Sequence, residues 1–140
     1  MKKLILLITL SLFLLTSCVF GESGKGTENE EDMKKESISY EKISAKEAKA
    51  LMDSEKGYII IDARTEREYA EGHIQGAILI PEYEISERAE EEIPDKDTLV
   101  LVYCRSGRRS KIAAEELVKL GYTNVKEFGG IIDWEYGTVK

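Results

Sequence analysis

The pattern of apolar and polar positions changes at about residue 39. From there to residue 140, short continuous apolar runs alternate with amphipathic segments. Continuous apolar runs are typical of strands that are covered on both faces. Three such strands are predicted, at 58–61, 77–80 and 98–103, and a last short strand is predicted at 125–128. Because helical segments separate them, we expect an α/β domain with a mostly parallel sheet and helices on both faces.

Local signals predict where the helices begin and end. Ser44 and Glu47 have the spacing of a capping box, and Thr65 and Glu68 repeat it. Each box predicts a helix behind it, and Gly72 ends the second one. Three further helices are predicted: an acidic one with Ile85, Ala89 and Ile93 at intervals of four, ended by Pro94; one with Ala113, Ala114, Leu117, Val118 and Leu120 on its apolar side, ended by Gly121; and a short one that bears Trp134.

The first 17 residues are predicted to be a signal peptide. Lys2 and Lys3 precede an apolar run from Leu4 to Leu15, which is shorter than the roughly 20 residues of a spanning helix. The run ends in Leu15-Thr16-Ser17-Cys18, which resembles the lipobox of bacterial lipoproteins. The resemblance implies cleavage before Cys18 and lipidation of its sulfur, which would anchor the chain stably in a membrane. A plain signal peptide or a short uncleaved anchor stays open as the alternative.

Residues 18–38 are predicted to consist of the lipidated Cys18 and a flexible acidic linker. Residues 19–37 carry three glycines, many charges and almost no apolar side chains after Phe20. Such a segment buries too little surface to offset its ordering entropy, and as a coil it would span roughly 25 Å. The globular domain is therefore expected over 39–140.

Composition and charge narrow the possible functions. The 140-residue chain is 42% apolar and 34% charged, as is usual for a globular protein, and its net charge is −7. A nucleic-acid partner is not expected, because binding to phosphates requires a basic surface. Two cysteines and one histidine are too few for a disulfide-dense scaffold or an ordinary structural zinc site. We expect neither a metal nor another cofactor.

The candidate chemistry lies at one strand-to-helix turn. Cys104 directly follows the predicted strand 98–103, and a glycine-containing, arginine-rich loop leads from it into a helix. Ligands of parallel sheets bind at this edge, and such a loop directs backbone N–H groups and the helix dipole at one point. These groups and the arginines lower a thiol pKa, which favours the nucleophilic thiolate. The alternative interpretation is a buried, inert cysteine at a strand end.

Four motifs in this domain resemble those of single-domain rhodaneses, the thiosulfate sulfurtransferases. The loop from Cys104 to Ser110 is similar to their active-site loop, and Asp62-Ala63-Arg64 to their Asp-x-Arg motif. Two further matches are the stretch 71–77 with Ile80-Pro81, and the stretch 121–125 with Gly129-Gly130 and Trp134. The resemblance covers about residues 39 to 140 and implies a three-layer rhodanese-like domain with a five-stranded sheet.

The resemblance also implies a reaction and roles. Cys104 would attack the outer sulfur of a donor such as thiosulfate, become a persulfide, and pass the sulfur to a thiol or to cyanide. The loop backbone would hold the anionic donor, which Arg105 and Arg109 would steer, while Asp62 and Arg64 would brace the loop. His73 is expected to make structural hydrogen bonds rather than act as a base. The implied substrate-binding loop consists of Arg105, Ser106, Gly107, Arg108, Arg109 and Ser110, with the role of Arg108 left open.

Two other functions are alternatives to sulfur transfer. Related phosphatases use a loop one residue longer, and Ser110 stands where their arginine would be, so the sequence disfavours a phosphatase. A non-catalytic sulfur carrier or protein-binding module stays open. With Cys18 lipidated, the chain has no second free thiol to take the sulfur from the Cys104 persulfide. An external thiol acceptor is therefore expected. The expected protein is a monomer anchored by lipid on the extracytoplasmic side of a membrane.

Overall fold

The computed structural model describes residues 39–140 of the chain. The predicted signal peptide over 1–17, the lipidated Cys18 and the linker over 18–38 lie outside the described residues. Within the range 39–140, no helix combines the length and apolar character needed to cross a membrane.

A five-stranded sheet forms the centre of the domain, with the strand order β1-β5-β4-β2-β3. All neighbouring strands pair in parallel, which confirms the predicted α/β class and goes beyond the expected mostly parallel sheet. The strands are β1 (Glu41–Lys42), β2 (Ile59–Asp62), β3 (Ala77–Leu79), β4 (Val100–Cys104) and β5 (Val125–Gly130).

Strand β1 is the strand for which the residue pattern gave no prediction. It has two residues, Glu41 and Lys42, and both are exposed. Its position comes from backbone pairing with β5, in which Glu41 lies opposite Lys126 and Lys42 opposite Glu127. A short edge strand of this kind carries no hydrophobic pattern, because it buries almost nothing.

Four α-helices connect the strands: α1 (Ala45–Ser54), α2 (Glu66–Glu71), α3 (Ile85–Glu92) and α4 (Arg108–Lys119). Both predicted capping boxes are formed. Ser44 and Thr65 accept hydrogen bonds from the N3 backbone amides, and Glu47 and Glu68 accept bonds from the cap amides in return.

Three local expectations differ from the structure. The predicted Trp134 helix is a single 3₁₀ turn over Ile131–Asp133, and Trp134 lies beyond it. Strand β5 continues through Gly130 instead of ending at 128, because it still pairs with the end of β4. Strand β3 was expected to be buried, yet Ile78 and Leu79 are half-buried because β3 forms an edge of the sheet.

Apolar side chains pack on both faces of the sheet, which explains the continuous apolar runs. Along β4, Val100, Val102 and Cys104 face the layer that contains α3 and α4, whereas Leu101 and Tyr103 face the layer that contains α1. All five residues of β4 are buried. Because β2, β4 and β5 are parallel neighbours, their carboxyl ends bring Asp62, Cys104 and Gly130 to one edge of the sheet.

Candidate active site

The loop after β4 wraps around the sulfur of Cys104. Gly107 adopts φ +98°, a left-handed conformation that favours glycine, and its N–H donates to Cys104 Sγ at 3.0 Å. Helix α4 begins at the next residue, and no side chain caps it. The free amides of its first turn are therefore available to an anion.

The hydrogen bonds of this loop stabilise a thiolate. Cys104 is buried, and burial raises the pKa of its thiol. The Ser110 hydroxyl and the backbone amides of Ser110, Gly107 and Ser106 lower the pKa, and together they outweigh burial. The net pKa of Cys104 is thus below its ordinary value, which increases the thiolate fraction near neutral pH.

Gly130 allows the loop to lie directly against the end of β5. A Cβ atom at this position would overlap the carbonyl oxygen of Arg105 and lie 2.7 Å from Ser106 Cα. These are backbone atoms, which cannot rotate away as a side chain can. The second glycine of the Gly129-Gly130 pair therefore has a steric role in the site.

Two of the three loop arginines are free to meet an anion. Arg105 and Arg108 are exposed, and within residues 39–140 neither guanidinium forms an ion pair. Arg109 instead donates two hydrogen bonds of 2.7 Å to the carboxylate of Glu68 on α2. Hydrogen bonds with Glu68 raise the pKa of Arg109 most, and the Cys104 sulfur adds to the effect.

Glu68 therefore serves two elements at once. Its Oε2 accepts hydrogen bonds from the N–H and hydroxyl of Thr65, which close the cap of α2, and from Arg109. Arg109 foremost, and Thr65 after it, lower the pKa of Glu68 to about 2 against the opposing effect of burial. The carboxylate thus holds Arg109 beside the sulfur at all but very acidic pH.

Asp62, Arg64 and Tyr103 form a buried network beside the loop. Arg64 donates to both carboxylate oxygens of Asp62 at 2.7–3.1 Å, and the Tyr103 hydroxyl donates to Asp62 Oδ2 at 2.6 Å. Burial of Tyr103, followed by the charge and hydrogen bond of Asp62, raises the pKa of the phenol. The network ties β2 to β4 at the strand ends.

The same network extends to the turn before β3. Arg64 Nη2 also donates to the carbonyl of Gly72 at 2.7 Å, and the N–H of Ile74 donates to the Tyr103 hydroxyl at 3.1 Å. Asp62, Arg64 and Tyr103 thus hold the backbone of this turn to the ends of β2 and β4.

His73 makes structural contacts in the same turn. Its ring stacks on Tyr69 with centroids 3.7 Å apart, and Nδ1 lies 3.1 Å from the Tyr69 carbonyl. Its backbone exchanges two hydrogen bonds of 2.9 Å with Val139. These contacts hold the turn to α2 and to residues near the end of the chain.

Three residues of the site were assigned no role in it by sequence reasoning. Glu68 was interpreted only as a capping residue, Tyr103 only as strand core, and Glu127 not at all. Glu127 lies on β5 and accepts a 2.6 Å hydrogen bond from the Ser110 hydroxyl. A charged residue inside the predicted strand 125–128 was the available signal for Glu127. Among residues 39–140, no group of His, Cys, Asp or Glu is placed to hold a metal ion.

A parallel α/β domain whose central strand ends in a cysteine that faces the amides of the following loop defines a class, that of α/β domains with a cysteine held by a strand-to-helix loop. Comparison with known families specifies it further: residues 44–136 match the Rhodanese-like domain. The chain belongs to this family, as the sequence motifs indicated.

Individual relatives agree with this assignment. Thiosulfate sulfurtransferase PspE from Escherichia coli strain K12 is 45% identical over 80 residues, covering 57% of this chain and 77% of PspE. A protein named Sulfurtransferase from Allochromatium vinosum is 41% identical over 85 residues, which cover 60% and 77% of the two chains. A solved structure described as a rhodanese with anions from E. coli superposes with a TM-score of 0.57 at 43% identity, covering 59% of this chain and 98% of that one.

Proposed function

We propose that the protein is a sulfurtransferase that carries a sulfane sulfur on Cys104 between a small anionic donor, such as thiosulfate, and an external thiol or cyanide. The observation that carries the proposal is the loop after β4, in which the Gly107 N–H donates to Cys104 Sγ at 3.0 Å and the backbone amides of the loop lower the pKa of a buried thiol. The names of the similar proteins, which include thiosulfate sulfurtransferase and sulfurtransferase, support the same chemistry.

In the loading step, the Cys104 thiolate attacks the outer sulfur of the donor. A bond forms between Sγ and that sulfur, the sulfur–sulfur bond of thiosulfate breaks, and its electron pair leaves with sulfite. The persulfide sulfur carries the remaining negative charge, which the loop amides are placed to stabilise. Exposed Arg105 and Arg108 attract the donor dianion towards the loop.

In the discharge step, the acceptor attacks the outer sulfur of the persulfide. The bond between that sulfur and Sγ breaks, and its electron pair returns to Cys104 as the thiolate. With cyanide as the acceptor, the released product is thiocyanate. With a thiol as the acceptor, the released product is the persulfide of that thiol. Because Cys104 is the one cysteine of residues 39–140, no second thiol in that range is available to take the sulfur.

The direct test is steady-state transfer of sulfur from thiosulfate to cyanide by the wild type and by Cys104→Ser. We expect turnover in the wild type and none above background in the variant, because an alcohol at this position is not ionised near neutral pH. Intact mass after incubation with thiosulfate should increase by one sulfur atom in the wild type alone. A variant that retains turnover would refute Cys104 as the carrier.

Steady-state turnover also separates an enzyme from a carrier. Both would gain the sulfur atom, yet only an enzyme would release thiocyanate repeatedly. One loading event without further turnover would favour the non-catalytic carrier.

Arg105→Ala is expected to raise KM for thiosulfate with little change in kcat, and Lys46→Ala, which removes an exposed cation from α1, serves as its control.

We further propose that the domain is held at the extracytoplasmic face of a membrane by lipid on Cys18. The proposal rests on the basic and apolar leader and on Leu15-Thr16-Ser17-Cys18. In cells, Cys18→Ala should move the protein from the membrane fraction to the soluble fraction, while Cys104→Ser should leave it on the membrane. Membrane retention of Cys18→Ala would show that another feature anchors the chain.

A further inference from the structure

Glu127 is a buried carboxylate directly behind the reactive loop. It lies on β5, its side chain is fully buried, and its Oε1 accepts hydrogen bonds from the Ser110 hydroxyl at 2.6 Å and the Gly129 N–H at 2.8 Å. Its Oε2 is buried, and no group in the described range 39–140 donates a hydrogen bond to it. Burying a carboxylate in this way is unfavourable, and an amide side chain could accept the same two bonds.

Among residues 39–140, no cation forms an ion pair with this carboxylate. Lys42 from β1, Lys111 from α4 and Asp133 from the turn after β5 line the same cavity of about 320 Å³ beside Glu127. All three are exposed, and neither lysine pairs with Glu127 within the part of the chain described, 39–140. Tyr40, before β1, also experiences the charge of Glu127, which adds to burial and Glu115 in raising the phenol's pKa.

The carboxylate reaches the sulfur through Ser110. The Ser110 hydroxyl has one proton, and its short hydrogen bond directs that proton to Glu127 Oε1. A hydroxyl that donates to Cys104 lowers the pKa of that thiol, so Glu127 competes with the sulfur for this one proton. Glu127 Oε1 also lies 3.9 Å from the position that a Cβ of Gly107 would have, and the Gly107 N–H donates to Cys104 Sγ at 3.0 Å. A negative charge behind the loop, in a buried site, opposes the negative charge of a thiolate.

We propose that Glu127 is a positioning residue that draws the Ser110 hydroxyl proton away from Cys104 and places a negative charge behind its sulfur, which makes that sulfur a stronger nucleophile and a poorer leaving group. The consequence for catalysis rests on the proposed function. In thiol exchange, nucleophilicity rises and leaving ability falls as the thiol becomes more basic. Glu127 therefore favours loading of the persulfide and slows its discharge.

The test compares Glu127→Gln with the wild-type full chain in alkylation by iodoacetamide, a neutral probe, across pH. The reaction is followed on the Cys104 peptide by mass spectrometry, so that Cys18 does not contribute. We expect the pH midpoint of alkylation to fall by about one unit. We also expect the rate per thiolate above the midpoint to fall about threefold, because the less basic thiolate is less nucleophilic.

Glu115→Gln is the matched control, because it removes the same charge from an exposed position on α4. It should leave both alkylation parameters unchanged. A midpoint for Glu127→Gln that is equal to or above the wild-type value would overturn the proposal. Glu127→Gln should also unfold at a higher temperature than the wild type, and loss of stability or failure to fold would show that the fold requires the carboxylate, which likewise contradicts the proposal.

Alkylation needs no sulfur donor, so it separates this inference from the proposed function. If the wild type loads no sulfur from thiosulfate, sulfur transfer from this donor fails while the alkylation result still decides the role of Glu127. If it loads sulfur, persulfide discharge to cyanide should be about threefold faster in Glu127→Gln, because its Cys104 is the better leaving group.

Discussion

Replacing Asp62 by asparagine tests whether the network beside the loop holds the strand ends together. The Asp62 side chain is fully buried and that of Arg64 is only 7% exposed. Asp62→Asn keeps the shape but leaves the Arg64 guanidinium buried without its counter-charge. It also turns an amide N–H₂ towards Arg64 Nη2 and the Tyr103 hydroxyl, both of which are donors.

The size of the effect follows from burial. Breaking one side of a buried ion pair costs about 3–5 kcal/mol, because the remaining charge is uncompensated. For a domain of this size, each kcal/mol lowers the unfolding midpoint by about 4–8 °C, so we expect a loss of at least about 12 °C. Thermal and urea unfolding at neutral pH measure it.

Two further variants identify the cause. Asp53→Asn removes a carboxylate that is 63% exposed and paired with Lys49 on α1, and should change stability by less than about 0.5 kcal/mol. Combining Asp62→Asn with Arg64→Gln removes both buried charges and should recover part of the loss. The reasoning would be refuted if Asp62→Asn cost less than about 1 kcal/mol, or if the double variant lost the sum of the two single losses.

Two other predictions concern the loop. The pKa of Glu68 is lowered from 4.5 to about 2 in the folded state, so its stabilisation is present above pH 4.5 and is lost as pH falls from 4.5 to about 2. Glu68→Gln should therefore lower the free energy of unfolding by about 1–2 kcal/mol at neutral pH, after allowance for partial solvent exposure, and flatten the dependence of stability on acid pH. The exposed variant Glu71→Gln should show neither effect. Gly130→Ala forces a Cβ into the backbone of Arg105 and Ser106, so we expect sulfur transfer to be lost. Gly57→Ala, whose Cβ meets no atom within 4 Å, should retain it. An active Gly130→Ala enzyme would contradict the close approach of loop and strand.

Glu68 and Arg109 show why the site could be predicted only in part. Both residues were visible in the sequence, one as the end of a capping box and the other as a loop arginine expected to hold the donor. Their 41-residue separation gave no indication that they pair. The position of Arg109 depends on how α2 and the loop after β4 meet across the sheet edge, which is a property of the tertiary structure.

The sequence by itself determined the layers of the domain and the location of its chemistry. Continuous apolar runs indicate strands covered on both faces, capping residues mark helix starts, and a cysteine between a buried strand and a glycine-containing turn lies at the ligand-binding edge. These signals are local, since neighbouring residues along the chain produce them. The order of the strands, the edge strand β1 and the buried Glu127 were decided only by the tertiary structure. Each depends on backbone pairing or burial between residues far apart in the chain, and such contacts leave no periodic pattern in the sequence.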